Sequence, residues 1–88
     1  MAYAVLLRPA AERDLAKLPS DIRSRVTEHL FGLEHNPRPP GITKLTGRTN
    51  LWRVRVGDYR ILFEINDPAQ TILVLRIAHR RDAYRSHH

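Results

Sequence analysis

Two apolar runs separated by Gly57-Asp58 dominate the pattern of hydrophobic and polar positions. Leu51–Val56 and Tyr59–Ile65 are rich in β-branched and aromatic residues. A two-residue loop of glycine and aspartate between such runs predicts a tight β-hairpin. With Gly57 and Asp58 as the loop, Val56 pairs with Tyr59, Val54 with Ile61 and Trp52 with Phe63, all on one face. The other face sets Arg55 opposite Arg60 and Arg53 opposite Leu62. Like charges directly opposite each other on a sheet cost up to ~1 kcal/mol. A solvated strand face is the ordinary explanation of surface charge, but this pairing favours a polyanion as partner.

The remaining elements follow from spacing. Ala2–Arg8 is a short apolar run that predicts a strand, inner or covered by helices, because both of its faces are apolar. Pro9 ends it and can sit in a first helical turn. Ala10–Leu18 then predicts a helix, with Ala11, Leu15 and Leu18 as its stripe. Pro19-Ser20-Asp21 starts a second helix, with Ser20 or Asp21 as the cap. Ile22, Val26, Leu30 and Leu33 recur along it at helical spacing, and Asn36-Pro37 closes it. Arg38-Pro39-Pro40-Gly41 is a loop. Thr43-Lys44-Leu45 begins a strand, Gly47–Asn50 is a turn or bulge, and Asn66–Gln70 is a loop. Thr71–Arg80 is the last strand, and Arg81–His88 is a tail.

The expected fold class is α+β in the order β-α-α-β-β-β. Two antiparallel N-terminal helices pack on one face of a small, twisted, mainly antiparallel four-stranded sheet. The helices cover the face shared by Trp52, Val54, Val56, Tyr59, Ile61, Phe63, Leu73, Leu75 and Ile77. Alternation leaves Arg53, Arg55, Arg60, Arg76 and Arg80 on the other face, with Leu62, Ile72 and Val74. A face half apolar and half basic is an interaction surface.

Composition sharpens this. Eighty-eight residues predict one domain spanning 1–88. There is no cysteine, hence no disulfide and no thiol nucleophile. No signal peptide and no apolar run of about 18 residues is present, which predicts a soluble cytoplasmic protein. The net charge is +6. Residues 1–43 carry six basic and five acidic side chains, whereas the rest carries nine and four. The excess therefore sits with the hairpin. Of 15 basic residues, only Lys17 and Lys44 are lysine, and arginine suits bidentate phosphate contacts.

No metal or cofactor is expected. His29 and His35 are six apart, which does not align them on one helix face. His79 falls by alternation on the core side. His87 and His88 end the chain and are set aside as a candidate tag remnant. What remains is an arginine cluster with Tyr84. Arginines can clamp a phosphate and stabilise the charge that grows on it. RNA supplies its own nucleophile, the 2′-hydroxyl, so a basic sheet face suffices for a ribonuclease or for RNA binding.

Several stretches together carry a resemblance. They are Ala11-x-Arg13-Asp14-Leu15-x-Lys17-Leu18-Pro19, Lys44-Leu45-x-Gly47, Leu51-Trp52-Arg53-Val54-Arg55-x-Gly57-Asp58-Tyr59-Arg60-Ile61 and Ile77-x-His79-Arg80-Arg81-Asp82-x-Tyr84. In order and spacing the chain resembles the RelE/ParE superfamily of toxins from type II toxin–antitoxin modules, and its turn and tail are more like the RelE branch. The resemblance implies an mRNA interferase that enters the ribosomal A site and cuts by metal-free 2′-hydroxyl attack. It implies that Arg60 holds the scissile phosphate, that Arg80 serves as leaving-group acid or transition-state stabiliser, and that Tyr84 orients the 2′-hydroxyl.

Arg53 and Arg55 match positions that are lysine in well-studied members, one of them a proposed base. Arginine stays protonated and is a poor base, so the proton acceptor is left between Tyr84, a purely electrostatic mechanism and His79 in reserve. Lys44, Arg48, Arg53, Arg55, Arg76 and Arg81 are the expected RNA or ribosome contacts. The resemblance also implies a cognate antitoxin, for which Leu62, Ile72 and Val74 are the candidate surface. DNA contact comes only through that antitoxin. The alternative is a ParE-like, non-enzymatic inhibitor of DNA gyrase.

Overall fold

A computed structural model describes residues 2–45, 47 and 50–83. The chain opens with strand β1 (Ala4–Leu7), followed by α1 (Pro9–Lys17) and α2 (Ser20–His35). Then come β2 (Thr43–Lys44), β3 (Leu51–Val56), β4 (Tyr59–Asn66), β5 (Thr71–His79) and the short helix α3 (Arg80–Ala83). The strands form one sheet in the order β1-β5-β4-β3-β2. Only β1 and β5 run parallel; the other neighbours are antiparallel. The α+β class stands, with five strands rather than four. Thr43–Lys44 is not the start of the hairpin strand but turns back to pair with Arg53 and Trp52. No helix among the described residues is long and apolar enough to cross a membrane.

Local chemistry accounts for the helices. Pro9 takes the first position of α1, where its missing N–H costs nothing. Glu12 near the start and Lys17 near the end complement the helix dipole. Pro19 holds the cap position of α2, and neither Ser20 nor Asp21 caps it through a side chain. Both helices press on one sheet face. Ala11, Leu18, Val26, Leu30 and Leu33 meet Val54, Ile61, Phe63, Ile65, Ile72, Val74 and Ile77 in a single core.

The hairpin register is the one its turn chemistry dictates: Val56 opposite Tyr59, Arg55 opposite Arg60, Val54 opposite Ile61, Arg53 opposite Leu62. Gly57 sits at φ 60°, a left-handed conformation that favours glycine. The last strand departs from strict alternation. Arg76 pairs with Leu62 but Val74 pairs with Phe63. Leu75 is therefore unmatched, a β-bulge that reverses the faces on either side of it. Ile72 and Val74 are 0% exposed and belong to the core, not to the open face. Leu73 joins Glu64 on the open face. Leu62 does lie on the open face, yet only 4% of it is exposed. Of the three residues expected to receive an antitoxin, Ile72 and Val74 are thus core and only Leu62 keeps the expected face. The large apolar side chain that the open face does expose, among the described residues, is Leu6, at 54%, because β1 is an edge strand rather than an inner one.

The reversed faces make a measurable claim. Ile72→Ala should cost about 2–5 kcal/mol of unfolding free energy, as a buried cavity does, whereas Leu6→Ala should cost less than about 0.5 kcal/mol. Urea titration of both variants would decide it; equal small losses would restore simple alternation.

Candidate functional site

Strand pairing brings Arg53, Arg55 and Arg60 onto the open face, beside the hairpin tip. Arg60 lies between Arg55 on β3 and Ala78 on β5. Arg60 is half-buried. Its Nε is buried with no hydrogen-bond partner among the described residues. A buried charged donor left unsatisfied costs free energy, and an anion docked there would recover it. Arg55 relieves the like-charge pairing by turning toward the tip, where its Nε donates to the Gly57 carbonyl at 3.1 Å.

Arg80 follows the last ladder pair, Tyr59 with His79. Its backbone N–H donates to the Asp58 carbonyl at 2.7 Å, which ties the start of α3 to the hairpin tip. Arg80 and Arg81 are both exposed there. Tyr84 and Arg48 lie outside the described residues, as do His87 and His88.

Two of the expected RNA contacts are set apart from Arg60, one by its partner and one by its face. Arg76 is committed to Asp14 of α1, with Nε donating at 2.8 Å and Nη2 at 3.2 Å. The hydrogen bond to Asp14 raises the Arg76 guanidinium above its ordinary pKa. Lys44 pairs with Trp52, so it stands on the helix side of the sheet, away from Arg60. There Lys44 and Arg38 both approach the Trp52 ring, at 5.8 Å and 5.2 Å, within cation–π range. His79 also stands on the helix side, edge-on to Tyr59 with ring centroids 5.3 Å apart. It cannot serve the Arg60 face as a base.

At the far end of the sheet a second polar network locks the loop after α2. Asp67 accepts from Tyr3 at 2.7 Å and from both terminal nitrogens of Arg38, at 3.1 and 2.9 Å. Sequence spacing offered no signal for this link, since its members come from three separate segments. Bonds from Arg38 and then Tyr3 hold the Asp67 carboxyl below its ordinary value. A carboxyl lowered on folding contributes stability above its unfolded pKa, and the contribution is lost as pH falls through the folded value.

Two measurements test these electrostatics. Arg60→Met removes the charge and the orphaned donor but keeps a long apolar stem. It should leave unfolding free energy unchanged or raise it by up to about 1 kcal/mol; a clear loss in urea denaturation would make Arg60 a structural residue. Below about pH 4, near the unfolded carboxylate value, the wild-type thermal midpoint should fall faster than that of Asp67→Asn. Parallel curves from pH 5 to pH 2.5 would exclude the network from acid stability.

With the geometry in view, the relatives can be placed. The family model described as ParE toxin of type II toxin–antitoxin system, parDE, matches residues 5–84. The chain is similar to Toxin RelG of Mycobacterium tuberculosis, 38% identical over 86 residues, covering 97% of this chain and 99% of that protein. Toxin RelE of the same organism is 34% identical, covering 94% and 87% respectively. Among solved structures, the toxin–antitoxin complex RelBE2 from M. tuberculosis matches at a TM-score of 0.80 and 34% identity, covering 91% of this chain and all of that one. The RelE–RelB complex from Pyrococcus horikoshii matches at 0.81 and 30%, covering 91% and 97%. The fold, the hairpin with its arginine face, and matches spanning nearly the whole chain lead to one assignment: the chain belongs to the RelE/ParE superfamily and is a RelE-type toxin of a type II toxin–antitoxin system.

Proposed function

We propose that this toxin is a ribosome-dependent mRNA endonuclease that stops translation by 2′-hydroxyl attack on the adjacent phosphate. The observation that carries the reading is Arg60, half-buried at the centre of the basic face with its Nε unpartnered among the described residues. A phosphate placed there accepts the orphaned N–H and neutralises the opposed Arg55 and Arg60. As the 2′-oxygen attacks, charge grows on the non-bridging oxygens, and a fixed guanidinium stabilises that growth more than it stabilises the substrate. The 2′-hydroxyl gives up its proton to water as the O2′–P bond forms, the bond to the 5′-oxygen breaks to leave a 2′,3′-cyclic phosphate, and the leaving oxygen takes up a proton from water.

Arg53 and Arg55 hold the RNA backbone. Arg80, at the hairpin tip, stabilises the leaving oxygen electrostatically, since a guanidinium surrenders its proton poorly. Tyr84 orients the 2′-hydroxyl. Arg81, Arg48 and Lys44 contact RNA or ribosome, whereas Arg76 is committed to Asp14 and drops from that role. The reading places the toxin in the cytoplasm, with the ribosome.

A cognate antitoxin is the proposed protein partner, because the solved relatives above are complexes with RelB or with their antitoxin. It would bring any DNA contact with it. Its docking surface needs side chains other than Ile72 and Val74, which are core. The family description as a ParE toxin keeps one second reading: a non-enzymatic block of DNA gyrase, in which the arginine face plays no chemical part.

Induction in growing cells separates the two. The nuclease reading expects primer extension to show cuts at codon positions, lost when translation is blocked. It also expects Arg60→Ala to abolish growth arrest while a co-expressed antitoxin still captures the chain. Intact mRNA with induced DNA damage would select gyrase, and full toxicity of both Arg60→Ala and Arg80→Ala would sink the nuclease.

A further inference from the structure

The hairpin tip has a second side. Opposite the arginine face, between the tip and the first turns of α2, lies a cavity of about 660 Å3. That is within the range of small-ligand sites, roughly 300–1,000 Å3. Ile22 and Arg25 come from α2, Arg55 and Asp58 from the tip, and Tyr59 and His79 from the paired ends of β4 and β5. Two guanidinium groups face one carboxylate, so the cavity favours an anion.

Arg25 is exposed and has no carboxylate partner among the described residues. Its guanidinium lies close over the turn, 3.5 Å from where a side-chain carbon at Gly57 would stand. Opposite it, Tyr59 and His79 meet edge to face, their planes 84° apart. The Nδ1 of His79 accepts the Arg81 backbone N–H at 3.3 Å, which leaves Nε2 as the donor of the neutral ring. An aromatic wall, an apolar side chain and a cation together suit a nucleotide, base against rings and phosphate against guanidinium.

Arg55 joins the two sides of the tip. In strand register it is the neighbour of Arg60, and it also lines the cavity. Arg55 is thus the side chain that links the Arg60 face to the cavity around the tip. We propose that this cavity binds the nucleotide flanking the scissile phosphate of single-stranded RNA, with Arg25 on its phosphate and Tyr59 and His79 against its base. The proposal rests on the nuclease reading above and extends it to recognition of sequence next to the cut.

The test uses the full chain and a 2′-O-methyl RNA trinucleotide, which lacks the nucleophile and is not cut. Titration followed by the ring resonances of His79 and Tyr59 should show saturable shifts at both. Arg25→Ala should weaken binding by about tenfold, as loss of one charge-assisted contact does, and abolish the His79 shift. Arg25→Lys should recover part of the affinity. Unchanged affinity and shifts in Arg25→Ala would overturn the site. So would shifts produced by an acidic peptide of similar length but not by RNA, which would make the cavity a protein-docking site. If His79 ignores RNA while wild-type toxin still cuts translated mRNA, the cavity alone fails. If His79 responds but mRNA stays intact on induction, the nuclease reading fails and the cavity stands as an RNA site without a cut beside it.

Discussion

The two faces of this sheet depend on one unmatched residue, Leu75, and on the carboxylate that secures the strand beside it. β1 pairs with β5 only as far as Leu7 with Val74, and the Arg8 N–H makes the last bond to the Val74 carbonyl. There the chain leaves the sheet to begin α1. The rest of β5 would be left with an unpaired edge, and buried backbone donors need partners. Asp14 of α1 supplies one. It accepts the Ile77 N–H at 2.9 Å and binds Arg76 from the same carboxylate. The bulge at Leu75 falls within this handover from strand neighbour to helix carboxylate. On one side of it Ile72 and Val74 point into the core, and on the other Ile77 does.

That arrangement shapes the basic face as well. With Arg76 neutralised by Asp14, the exposed charge contracts toward the hairpin tip, around Arg55, Arg60 and Arg80. The contraction leaves Arg60 with a buried Nε that nothing among the described residues satisfies. Native structures rarely leave such a donor without a purpose. The same tip carries Arg25 and the Tyr59–His79 rings on its reverse side, so one tight turn organises cations on both faces of the sheet. By contrast, the Tyr3–Asp67–Arg38 network sits at the other end and serves to hold the chain between α2 and β2 in place.

Much of this was legible from residues alone. The Gly57-Asp58 turn sets a register over short range, and strict alternation then carries it along both strands. That is why the Arg55–Arg60 opposition and the core face of the hairpin were read correctly. The helices announced themselves through Pro9, Pro19 and the spacing of Ile22, Val26, Leu30 and Leu33. Alternation failed in the last strand because a bulge shifts the face without any local mark in Thr71–Arg80. For Lys44 no face could be read, because a two-residue strand takes its face from its partner, Trp52, and not from its own pattern. Arg25 stands off the apolar stripe of Ile22, Val26, Leu30 and Leu33, and only packing brings it over Gly57.

What the sequence determined by itself is what short-range physics encodes: the hairpin and its register, the two amphipathic helices, the α+β class, and the concentration of arginine on one half of the chain. Only the tertiary structure decided where those arginines are free to act. Pairing of β5 with both β1 and β4 placed the bulge, the bulge turned Ile72 and Val74 inward, and Asp14 withdrew Arg76 from the cluster. Each of these depends on contacts between residues about sixty positions apart or on a choice of neighbouring strand. No local pattern of hydrophobic and polar positions records such choices, because they are made by packing.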